Sequence, residues 1–309
     1  MTGQAVDLVG AYQRTGRLDR LNAAIELFRD AVTGTPPDHP DRPACLSNLG
    51  AALQTRYKRT GQLADLDEAI TAGRDAVATT PPGQPSYPMY LSNLGGALGT
   101  RFGRTGQLAD LDEAITAGRE AVATTPSDHP NGALCLYNLG GALRTRFKYA
   151  GQLADLDEAI TAGRAVVATT PPEHPDRPGY LSELGAALRV RFERTGQPAD
   201  LDEAITAGRD AVATTPPDHP NRALYLSSLG LALRTRFEHA EQLADLDEAI
   251  TAGRDAVATT PPDHPNRPAY LSNLGIALGT RFRSTGQPID LDEAITTIRD
   301  AVEIGRAHV

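Results

Sequence analysis

Lysine is nearly absent from this chain: only Lys58 and Lys148 occur among 30 basic residues. With abundant alanine, glycine and proline, this reads as the coding bias of a GC-rich genome. Basic charge as a whole is in deficit, because 39 acidic residues leave a net charge of −9. That argues against a nucleic-acid partner, which needs a basic face. No long apolar run occurs, so no membrane span is expected. No basic segment followed by an apolar one opens the chain, and a cytoplasmic location is the expectation. Cys45 and Cys135 are the only cysteines. They read as thiols buried on a helix face, consistent with a reducing compartment. No Ser/His/Asp or Cys/His set and no glycine-rich phosphate loop stands out, so neither an enzyme nor a cofactor is expected.

What the chain has instead is repetition. The phrase Leu-Asp-Glu-Ala-Ile starts at Leu66, Leu111, Leu156, Leu201, Leu246 and Leu291, with a worn copy at Leu21, and every step is 45 residues. A second phrase, Leu46-Ser47-Asn48-Leu49-Gly50, recurs on the same period. Self-similarity at such a period marks a solenoid, whose units bury their apolar faces only against their neighbours. The reading is one all-α array over residues 1–303 of about six and a half helix-turn-helix repeats. Residues 304–309 lie outside the pattern and read as a non-native tail resembling a translated sequencing adapter, which implies that the natural protein continues. Two whole repeats separate the cysteines, too far for a disulfide.

Each unit reads as loop, helix A, turn, helix B. Asp41, Ser86, Asn131, Asp176, Asn221 and Asn266 are placed to cap helix A through their side chains. Leu91, Leu94, Leu98 and Phe102 form its apolar stripe over a helix of about 17 residues. Gly61, Gly106 and Gly151 supply the turn, with Glu241 standing where the sixth copy would have glycine. Asp65 and Glu68 have the spacing of a capping box for helix B, which ends at Thr79-Thr80-Pro81-Pro82. Gly73, Gly118, Gly163, Gly208 and Gly253 share one helix B position and predict close helix approach. Phe28 and Ile298 replace them in the first and last copies, as expected of terminal units with fewer neighbours.

Leu49-Gly50, Leu53, Gly61, Ala69, Ala76 and Pro81 resemble the tetratricopeptide repeat (TPR) pattern, stretched from 34 residues to 45. Leucines stand where Trp and Tyr are usual in helix A. The whole phrase is similar to the long tetratricopeptide arrays of actinobacterial and fungal proteins, many of which carry a caspase-like CHAT domain. The resemblance implies a right-handed superhelix acting as a protein-protein interaction scaffold, with helix A lining a concave groove. The alternative it raises is a sensor array belonging to a larger CHAT-type protease or signalling protein.

The ligand-facing position five residues after the leucine of Leu-Gly maps to Gln54, Gly99, Arg144, Arg189, Arg234 and Gly279. The expected groove contacts are Arg144, Arg189 and Arg234, which would grip carboxylates of an acidic partner segment, with Tyr137 beside them. Leu231 and Ile276 add apolar floor. Truncated solenoids also expose apolar end faces, so end-to-end self-association is a further expectation. His39, His129, His174, His219 and His264 recur beside acidic residues, but equivalent side chains on successive repeats stand too far apart to share a metal. They are read as turn residues, and no metal is expected. Asp67 and Glu68 do not face each other on a helix and make no catalytic pair. Arg56 and its five counterparts are read as structural, paired with the acidic start of a helix B.

Overall fold

The computed structural model describes residues 2–126, 129 and 131–307. Among these there are fourteen helices and no strand. They form seven hairpins: α1 (Thr2–Thr15) with α2 (Leu18–Gly34), α3 (Arg42–Thr60) with α4 (Leu63–Ala78), α5 (Tyr87–Thr105) with α6 (Leu108–Thr124), α7 (Gly132–Ala150) with α8 (Leu153–Thr169), α9 (Arg177–Thr195) with α10 (Pro198–Thr214), α11 (Arg222–Ala240) with α12 (Leu243–Ala258), and α13 (Arg267–Thr285) with α14 (Pro288–Ala307). The expected helix A and helix B alternate throughout, and α1 is the shortened first helix A. Met1, Ser127, Asp128, Pro130 and the tail residues His308 and Val309 lie outside the described residues. Two compact units make up the chain, Met1–Ala162 and Gly163–Val309.

Each hairpin turns on a left-handed residue. Gly61 sits at φ 70° and accepts no strain there, and its N–H bonds the Tyr57 carbonyl at 2.7 Å. Glu241 adopts φ 53° in the same place and is the one non-glycine residue among those described with positive φ. The following helix then begins earlier than the capping-box reading placed it. Gln62, not Asp65, holds the N-cap position, and no side chain caps there. Asp65 lies inside the first turn, buried, with both carboxylate oxygens committed to Arg56 at 2.7 and 2.9 Å. A bidentate guanidinium is the stronger partner for that carboxylate.

Helix A is 19 residues long rather than about 17, and its expected side-chain cap is also replaced. Asp41 stands at the N-cap position but makes no side-chain cap. The imidazole of His39 accepts the Asp41 N–H at Nδ1 (3.2 Å), and the His39 carbonyl accepts the Arg42 N–H (3.0 Å). His129, His174, His219 and His264 accept the N–H two residues on in the same way. The histidine ladder is therefore a set of turn acceptors, each receiving a backbone N–H at Nδ1. Among the described residues no three His, Cys, Asp or Glu side chains gather as a metal site would need.

Packing between repeats rests on the shared glycine. A Cβ at Gly73 would stand 3.2 Å from Leu94 Cδ1, and at Gly208 3.1 Å from Leu229 Cδ1. Phe28 does not follow the terminal-unit expectation. It is fully buried with Ala5, Leu21, Ile25 and Leu49, filling core volume in a hairpin whose α1 is short. Cys45 and Cys135 are free and buried, and burial pushes the Cys135 thiol up.

Candidate functional site

The helix A face is set by what helix A does not bury. On α7, Leu134, Tyr137, Gly141, Arg144 and Thr145 recur at three- and four-residue spacing and fall on one stripe, while Leu139, Leu143 and Phe147 point into the core. Leu134 and Tyr137 are exposed, as is Met89 at the matching place on α5. Between α5 and α7 of the first unit runs a groove of about 360 Å³ lined in part by Ser92, Gly96, Gly99, Gly141, Arg144 and Thr145.

Two features of this groove bear on binding. A Cβ at Gly99 or Gly141 would meet nothing within 4 Å, so packing does not require glycine at either position. The polar groups along the floor are tied between neighbouring A helices: Asn138 donates to Ser92 at 2.8 Å, Asn93 to Ser47 at 2.9 Å, and Gln54 to Thr100 at 3.0 Å. These bonds tie α3, α5 and α7 to one another along the face.

The three arginines expected to act alike stand in different settings. Arg144 belongs to the first unit and lines its groove, with Lys148 one helical turn further on. Arg189 and Arg234 belong to the second unit, and each donates to a glutamate of its own helix, Glu193 and Glu238. That difference was legible as an i, i+4 pattern in the sequence. Leu231 and Ile276 also lie on the second unit's helix A face, with Ile276 the more exposed.

The remaining conserved-spacing arginines hold the array together. Arg101 grips Asp110 in a bidentate pair at 2.6 and 2.8 Å and reaches back to Asp67 of the preceding repeat at 2.9 Å. Arg146 repeats this in the first unit with Asp155 and Asp112, and Arg236 and Arg281 do so in the second. The structural reading of this series holds. Two further series went unread. Arg74 pairs with Glu113 of the next repeat at 2.6 and 2.8 Å, and Arg29, Arg119, Arg164, Arg209 and Arg254 act likewise. Arg42 donates to the Val32 and Thr35 carbonyls that end the preceding helix B, as do Arg177, Arg222 and Arg267 to theirs. The signal for the Arg74 series was available, since arginine stands at that position in every copy; the Arg42 series is interrupted by Tyr87 and Gly132.

These features define a class: an all-helical repeat protein built from stacked hairpins with an uncovered helix A face. The tetratricopeptide repeat family model matches residues 44–78, 133–176 and 222–266, and the fold is that of a tetratricopeptide-like helical repeat. No curated protein sequence matches it. Among solved structures it is similar to the nearly identical TPR-like repeats of a putative kinesin light chain from Podosopora anserina, at 24% identity and a TM-score of 0.51 over 72% of this chain and 96% of that one. BtubC (BKLC) from P. vanneervenii matches at 15% identity and a TM-score of 0.55, over 79% of this chain and 92% of that one. The C-terminal part of a TPR repeat-containing protein from Cytophaga hutchinsonii matches at 14% identity and a TM-score of 0.59, over 98% and 99%. Repeats of this fold generally mediate protein-protein interaction and are generally non-catalytic. Among the described residues no helix is long and apolar enough to cross a membrane.

Proposed function

We propose that this chain is a protein-interaction scaffold that holds an acidic partner segment against its helix A face, with Arg144, Arg189, Arg234 and Tyr137 among the contacts. The observation that carries the reading is the groove of the first unit, where helical glycines leave room that packing does not use. A glycine inside a helix costs about 1 kcal/mol against alanine, and open floor at Gly99 and Gly141 lets a partner backbone approach closely. Arg144 with Lys148 supplies positive charge at one end, and Leu134 and Tyr137 supply apolar surface at the other. In the second unit a partner carboxylate has to displace Glu193 or Glu238 before it reaches Arg189 or Arg234.

The test is a pull-down from the native host with the chain, beside Arg144→Ala and beside the double variant Arg189→Ala/Arg234→Ala. A partner retained by the parent should bind Arg144→Ala about tenfold more weakly, and the double variant should also lose affinity. Identical capture by all three would remove the arginine reading.

A further inference from the structure

We propose that the groove between α5 and α7 is an anchor pocket for one leucine side chain of the partner segment. The inference rests on the scaffold reading and adds what that segment must carry.

The chain holds this site twice, once open and once filled. Inside the second unit a matching site between α11 and α13 is lined by Ser227, Leu231, Arg234, Tyr270 and Asn273. Each stands three repeat periods after a residue that lines the open groove, in order Ser92, Gly96, Gly99, Cys135 and Asn138. The helix B floors also correspond, Ala114 and Gly118 of α6 with Ala249 and Gly253 of α12. The free volumes do not: about 360 Å³ between α5 and α7, and about 10 Å³ between α11 and α13.

The difference is in the side chains. Leu231 stands where the open site has Gly96, Arg234 where it has Gly99, and Tyr270 where it has Cys135. At the deep end Cys135 shares one apolar cluster with Tyr87, Leu91 and Ala121, so the unfilled room lies toward Gly96 and Gly99. The filled site shows what that room accepts. In the second unit a leucine from helix A lies half-buried over the alanine and glycine of helix B. Over the same floor in the first unit Gly96 supplies no side chain, and a leucine from a partner completes the packing. The amides of Asn138 and Gln54 beside the opening already donate to Ser92 and Thr100, which favours an apolar group over one that needs those acceptors.

Charge determines what flanks the leucine. Arg144 lines the open site from the α7 wall, where the filled site has Gly279, whereas Arg234 lines the filled site from the opposite wall, in place of Gly99. A carboxylate next to the partner's leucine therefore lies across the opening from Gly99, on the side of Arg144. The occupant is a leucine with acidic residues beside it.

Fluorescence anisotropy tests this with a fluorescein-labelled acidic nonapeptide carrying a central leucine and the same peptide with alanine there. Each is titrated with the parent, Gly96→Leu and Gly99→Leu. A Cβ at Gly96 meets only the end of Gln54, at 3.6 Å, and one at Gly99 meets nothing within 4 Å, so both variants fill the pocket from within and leave Arg144 in place. Circular dichroism confirms that each is folded. The parent is expected to bind the leucine peptide about tenfold more tightly than the alanine peptide. Either variant is expected to bind both peptides alike, at the parent's affinity for the alanine peptide. Equal binding of the two peptides by the parent overturns the anchor pocket, as does a leucine preference that survives in either variant. Both of those results leave the acidic-segment reading in place, whereas binding of neither peptide by the parent removes it along with the pocket.

Discussion

Position by position, glycine in this chain does three different things, and the structure separates them. At Gly61 and its counterparts the backbone is left-handed. At Gly73 and its counterparts a neighbouring leucine occupies the space a Cβ would need. At Gly99 and Gly141 neither condition applies. Substitution by alanine should therefore change sign with position. Gly208→Ala is expected to destabilise the fold by about 1–3 kcal/mol, because Leu229 is held by its own helix and cannot retreat far. Gly99→Ala is expected to stabilise it by roughly 0.5–1 kcal/mol through helix propensity alone. Urea denaturation of the two variants beside the parent checks both, and equal effects would contradict the packing argument.

Between elements, the second copy departs from the others in a way that has a pH signature. Where α3 begins with Arg42, α5 begins with Tyr87, whose hydroxyl donates to Glu120 of α6 at 2.5 Å. The hydrogen bond to that carboxylate, with burial adding to it, pushes the phenol up to about 12. A group whose folded value lies above its unfolded value near 10 contributes stability that is fully present below pH 10 and is lost as pH rises toward 12. Tyr87→Phe should cost about 1.5 kcal/mol at neutral pH and flatten the alkaline fall in stability between those limits. Thermal melts from pH 8 to about 12 read this directly, and an unchanged alkaline slope in Tyr87→Phe would refute it. The Arg101–Asp110 type of pair was legible from sequence because both residues recur without exception. Its place was not, since the same Asp also matched a capping box. The choice between those partners depends on where the left-handed glycine lets the helix begin.

Across the molecule, a repeat array has stability that is nearly a sum over neighbours, so its ends open before its middle. Within the first unit α1 buries only Ala5 among its own residues, whereas α5 buries Tyr90, Leu91, Leu94, Leu98 and Phe102. Hydrogen exchange should therefore be fastest in α1 and slowest in α5 and α6; uniform exchange over the whole unit would mean that it opens as one. The 45-residue period, the alternation of helices A and B, the glycine turns and the close approach at Gly73 were all determined by the sequence, because a repeated local pattern reports one local structure many times over. Tertiary structure alone decided two things: that the recurring histidines accept the backbone N–H two residues on, and that Asp65 and its counterparts give their carboxylates to an arginine in place of a helix cap. Each depends on which side chain reaches a given atom first, and spacing along the chain does not specify that.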